Sequence, residues 1–192
     1  MNSSISKVIG SILLGISAVT MADNSNTNTN ADYIAVIERH DIEAWASYDS
    51  VDRHEVTTGT DRGAQLYVYR NGEKNVQRVI FDYGLSQTDR LCCLLYKDGK
   101  LVKATVSRRG YHSDKDGKIA FCQPYPQAET NRVYFRESEV ICLSSEDKNC
   151  DAIRSDPAKK QAILKGASDL LRQLSAAKPE SEVPDVDFLR YL

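Results

Sequence analysis

The stretch RLCCLLYKDGKLVKATV, residues 90–106, decides the fold. Asp98 and Gly99 separate two runs of strand-forming residues. An Asp-Gly pair between such runs marks a β-hairpin, because both central residues of a type I′ turn need positive φ. With Asp98 and Gly99 as the turn, Lys97 faces Lys100, Leu95 faces Val102, Cys93 faces Ala104 and Leu91 faces Val106. One face then carries Leu91, Cys93, Leu95, Val102, Ala104 and Val106 and is apolar. The other carries Cys92, Leu94, Tyr96, Leu101, Lys103 and Thr105 and is mixed. Neighbouring residues of a strand point to opposite faces. The adjacent thiols of Cys92 and Cys93 therefore cannot converge on one metal or one substrate. This register predicts Cys93 in the core and Cys92 partly covered.

Outward from this hairpin the same signals recur. Asn71-Gly72 and Asp116-Gly117 interrupt alternating segments, and FRESE, residues 135–139, is a polar break between two apolar runs. These predict about six strands, near 65–70, 74–83, 90–97, 100–110, 118–123 and 132–144, joined as an antiparallel meander.

Helical periodicity brackets the strands. ADYIAVIERHDIEAWASYD, from Ala31, spaces Tyr33, Ile37, His40, Ala44 and Tyr48 along one side, with Ile34, Ile42 and Trp45 beside them. AKKQAILKGASDLLRQL, from Ala158, puts Ile163, Ala167, Leu170, Leu171 and Leu174 on one stripe. Ser155 or Asp156 can cap it and Pro157 suits its first turn. The acidic, then aromatic, end PESEVPDVDFLRYL reads as an extended tail pinned by Phe188 and Tyr191. The fold class expected is α+β: a meander packed against the C-terminal amphipathic helix, with an N-terminal helix over another part of the core.

Residues 1–22 combine one positive charge, Lys7, an apolar run from Val8 to Met21 and a small residue, Ala22, before Asp23. That is the make-up of a cleaved signal peptide, too short in its apolar part to span a bilayer. Residues 23–30 form a polar linker and 31–192 a single α+β domain. Loss of residues 1–22 takes away Lys7 alone, moving the net charge from −2 to −3. Nucleic acid, which selects for basic excess, is therefore not an expected partner.

An exported chain meets an oxidising compartment, so its five cysteines raise the question of pairing. Cys142 and Cys150 flank the short polar connection LSSEDKN and are the expected disulfide. Cys92 and Cys122 fall on strands two steps apart in the meander. That is about 10 Å, beyond the reach of a disulfide, so both are expected free.

Candidate chemistry is sparse. The segment HSDKDGKIAF, residues 112–121, resembles part of a calcium loop but lacks carboxylates at its first and last ligand positions, His112 and Gln123. His40 and Asp41 are adjacent on a helix and diverge; His54 sits among Asp52, Arg53 and Glu55 in an expected loop. No G-x-S-x-G elbow, HExxH or phosphate loop occurs, so no cofactor or metal is implied. A basic group interleaved with tyrosines, made of Tyr96, Lys97, Lys100, Lys103, Arg108, Arg109 and Tyr111, is the candidate binding surface. It suits an acidic partner protein or an anionic envelope component.

These features describe a non-catalytic binding or accessory protein of the bacterial cell envelope, periplasmic or secreted. An inhibitor or immunity-type protein engaging another protein through its sheet fits this description. Two alternatives stand beside it. One is a small envelope hydrolase using His54 or His112 with nearby carboxylates. The other is a structural subunit of a larger assembly, which would leave Cys92, Leu94 and Leu101 uncovered.

Overall fold

The structure is a computed structural model that describes residues 29–56, 64–85, 88–110, 112–113, 119–120, 130–144, 147–176 and 186–192. The expected signal peptide and most of the expected linker lie outside these residues, as do Tyr111, Cys122 and the expected Asp116-Gly117 turn.

Helix α1, Asn30–Ala46, begins where the Thr29 side chain accepts a hydrogen bond from the Asp32 backbone N–H. Thr29 and Asn30, expected in the linker, thus belong to the helix and its cap. Strands β1 (Ser50–Val56), β2 (Ala64–Arg70), β3 (Val76–Leu85), β4 (Thr88–Lys97), β5 (Lys100–Gly110), β8 (Thr130–Arg136) and β9 (Glu139–Ile141) form one antiparallel sheet in that order. The short β6 (His112–Ser113) and β7 (Ile119–Ala120) pair with each other apart from it. The described part of the strand expected at 118–123, β7, therefore adds no rung to the main sheet, and β8 pairs directly with β5. Helices α2 (Lys148–Arg154) and α3 (Pro157–Ala176) and a 3-10 turn, Asp187–Tyr191, complete the chain.

The sheet is the middle of three layers. Its main core packs Leu66, Val68, Phe81, Leu94 and Phe135 against Ile163, Ala167, Leu170 and Leu174 of α3, the predicted stripe. The opposite face packs Leu95, Val102, Tyr134 and Ile141 against Ile37 and Ala44 of α1. Asp156 caps α3, its carboxylate accepting from the N–H groups of Ala158 and Lys159. Phe188 and Leu189 of the 3-10 turn are buried in the main core, so the tail is pinned as expected, though helically coiled.

Three corrections have identifiable causes. The segment 50–56, expected as a loop, is the edge strand of the sheet. It alternates polar residues on both faces and so shows no hydrophobic period; the β2 ladder recruits it through backbone pairing, His54 opposite Leu66. At Asn71-Gly72 the turn runs to Asn75, with Asn71 Oδ1 accepting from Glu73 and Asn75 N–H, and the left-handed residue is Lys74, not Gly72.

The third concerns the opening hairpin. Asp98 (φ 51°) and Gly99 (φ 72°) do form its turn, and Lys97 faces Lys100. Then the register shifts between Leu95 and Tyr96. Tyr96 pairs with Leu101, but Leu95 pairs with Lys103, leaving Val102 as an extra residue. Val102 and Lys103 both turn toward α1, and the predicted faces are exchanged beyond the bulge. Cys92, Leu94, Tyr96, Leu101, Ala104 and Val106 line the main core, with Cys92 fully buried. Cys93 is the partly covered thiol, on the α1 side, where Arg78 donates to its sulfur. The two sulfurs do lie on opposite faces and are not bonded to each other.

Candidate functional site

The expected basic surface does not form as one patch. Tyr96 is buried, its hydroxyl donating to the Ala167 carbonyl, because it shares the main-core face of β4 with Cys92 and Leu94. Lys103 is buried on the opposite face beneath α1. Lys97 and Lys100 are exposed at the hairpin tip. Arg108 and Arg109 lie eight or more residues further along β5, about 26 Å away at strand rise. Tyr111 lies outside the described residues. Cys142 and Cys150 are joined by the expected disulfide, which ties the end of β9 to α2.

Lys103 belongs to a charged network that sequence reasoning missed. Its ammonium bridges Asp41 Oδ2 at 2.7 Å and Glu38 Oε1 at 2.6 Å, both on α1. Arg78 of β3, also buried, binds Asp41 through its side chain and backbone carbonyl, and lies 3.9 Å over the Trp45 ring. Tyr134 donates to Glu38. Burial pushes the Asp41 carboxyl upward, but the Lys103 hydrogen bond and the Arg78 charge outweigh it, and the group ends below its ordinary range. Burial raises the Cys93 thiol despite Arg78 beside it, so this sulfur is a poor nucleophile. The sequence signal was a lone base inside each of two apolar strands, VQRVIF and LVKATV, which implies a buried partner.

Beyond this network the α1 side of the sheet carries aromatic surface. Trp45 and Tyr48 both meet Tyr69 of β2 edge-on, each with ring centroids 5.2 Å apart. Val51 of β1 pairs with Tyr69 in register, and Ile42 precedes Trp45 by three residues on α1. Ile42 is 71% exposed, and Trp45, Tyr48 and Val51 are each more than 40% exposed. Sequence reasoning set Ile42 and Trp45 beside the buried stripe. A helical wheel places Ile42 about 140° from Ile37, and that offset was the available sign that it faces outward.

The sheet has a second feature at the same end, beside the turns. The β2–β3 and β4–β5 turns, His40 of α1 and the end of α3 enclose a polar cleft of about 600 Å³.

His40 Nε2 lies 3.0 Å from the Tyr96 carbonyl oxygen, and His54 is buried with Nε2 unpartnered. Among the described residues, neither histidine hydrogen-bonds a carboxylate, and no three of His, Cys, Asp and Glu gather as a metal set. No described helix is long and apolar enough to cross a membrane. The face named for an assembly subunit, Cys92, Leu94 and Leu101, is covered within the main core. The chain matches no protein-family model, no curated protein and no solved structure.

Proposed function

We propose that the protein is a non-catalytic binding protein of the cell envelope that engages another protein through the aromatic surface around Trp45 and the adjoining edge strand β1. The observation that carries this reading is the contiguous exposure of Ile42, Trp45, Tyr48 and Val51. Isolated apolar residues are ordinary on a surface, but a contiguous group rich in Trp and Tyr has the composition of an interface core. Beside it, β1 presents a seven-residue edge that pairs with no further strand among the described residues. Such an edge accepts an extended segment of a partner as an added strand. Export is part of the proposal and is supported by the composition of residues 1–22 and by the Cys142–Cys150 disulfide, a bond that persists in oxidising compartments.

The test is affinity capture from envelope extract with the wild type, an Ile42→Asp/Tyr48→Asp variant and a Lys165→Asp control on α3. The reading expects one protein to be retained by wild type and control and lost from the double variant. Retention by all three, or by none, overturns it.

A further inference from the structure

The order of charges along the edge strand β1 selects an occupant for it. Asp49, one residue before β1, extends its ladder, the backbone N–H donating to the Arg70 carbonyl at 2.8 Å. Val51 follows two residues later and Arg53 two beyond that; all three are exposed. Neither Asp49 nor Arg53 holds an ion pair among the described residues. The outer side of β1, which pairs with no further strand among the described residues, thus presents an acid, an apolar residue and a base at equal spacing.

That arrangement is complementary to itself when read in the antiparallel direction. If a second copy pairs with β1 about a two-fold axis at Val51, Asp49 of each copy stands opposite Arg53 of the other, and Val51 opposes its counterpart. Opposite charges facing each other across an antiparallel pair are favourable, and like charges are not. Neighbouring registers lose this match. A centre at Asp52 brings two carboxylates together and sets Val51 against Arg53. A centre at Arg53 opposes two guanidinium groups, and a centre at His54 moves the contact away from Val51. The axis at Val51 stands perpendicular to the sheet, so α1 of both copies lies on one face. Val51 pairs with Tyr69 of β2, which Trp45 and Tyr48 meet edge-on. The aromatic groups of the two copies therefore adjoin through the Val51 contact. We infer that β1 takes a second copy of this chain, joining two seven-stranded sheets into one through an isologous contact centred on Val51. The inference rests on the reading that β1 and the Trp45 group form a docking surface, and it names a second copy as an occupant of that surface.

The experiment is sedimentation equilibrium of the purified protein as wild type, as Arg53→Glu and as the exchanged double variant Asp49→Arg/Arg53→Glu. The wild type should show a monomer–dimer equilibrium. Arg53→Glu sets two carboxylates against each other on both sides of the axis and should weaken the dimer at least about tenfold. The exchanged variant restores opposite charges and should return to within about threefold of the wild type, a recovery that damage to the fold cannot produce. A wild type that stays monomeric up to about 1 mM, an unchanged dimer in Arg53→Glu, or no recovery in the exchanged variant overturns the inference. Assemblies larger than a dimer overturn it as well, because a two-fold contact closes on itself. Sedimentation uses the purified chain alone, so a monomeric result leaves capture from envelope extract to decide the docking surface, and failed capture leaves the dimer constant as measured.

Discussion

Arg78 stacks its guanidinium on the Trp45 ring while the same side chain holds Asp41, one helical turn earlier in α1. This pairing, with Lys103 on the other oxygen of Asp41, fixes the rotation of α1 about its axis. Ile37 and Ala44 are thereby turned inward and Ile42 outward. Apolar packing alone would tolerate some roll of the helix; charges buried at 2% and 5% exposure would not.

Removing Asp41 should therefore cost more than a surface ion pair. Asp41→Ala leaves Arg78 without its carboxylate, and destabilisation of about 3 kcal/mol is expected, measured by denaturant unfolding. A loss comparable to that of Arg154→Ala, whose pair with Asp151 is exposed, would contradict the account.

The same carboxyl gives a pH dependence. Its folded value is depressed, so the folded protein takes up this proton less readily than the unfolded chain. The contribution is fully present above the unfolded value, about 3.9, and is lost as pH falls through the lower folded value. Stability should decline in that acid window, and Asp41→Asn should flatten the decline. Parallel pH curves for the two proteins would remove Asp41 from the explanation.

Gly166 in α3 is a packing glycine. A Cβ there would overlap the Phe188 ring and stand 2.6 Å from Phe188 Cβ, near the backbone where the side chain has little room to swing. Gly166→Ala should destabilise by about 1–3 kcal/mol through displacement of the 3-10 turn, although alanine is the better helix former by about 1 kcal/mol. A raised melting temperature would show that the turn is not held there.

His54 offers the opposite case. It is 6% exposed with Nε2 unpartnered among the described residues, so His54→Phe discards no hydrogen bond seen there from that atom. Unfolding free energy should stay the same or rise by up to about 1 kcal/mol. A substantial loss would mean that the imidazole has a polar role in the core.

The Cys142–Cys150 bond closes a short loop, eight residues apart in sequence. Its removal as the double serine variant should lower stability by on the order of 2.5 kcal/mol in the chain-entropy account, and dithiothreitol should reproduce that loss in the wild type only. Equal stability with and without reductant would argue against the bond forming in solution.

Much of this architecture was legible from residue order. Positive φ at Asp98 and Gly99, the stripe through α3, the opposite directions of Cys92 and Cys93 and the closeness of Cys142 to Cys150 follow from local stereochemistry and spacing. Those constraints act within a few residues and are complete in the sequence. What only the tertiary structure decided is which face of the hairpin each residue occupies. One extra residue, Val102, reverses the phase, and nothing within the hairpin favours the bulge over strict alternation. The preference comes from outside it: the bulge sends Lys103 to Asp41 of α1 while Tyr96 stays on the α3 side, partners far away in the chain. The same distance kept the exposed aromatic group out of sight, since Trp45 meets Tyr69 only once the sheet has formed.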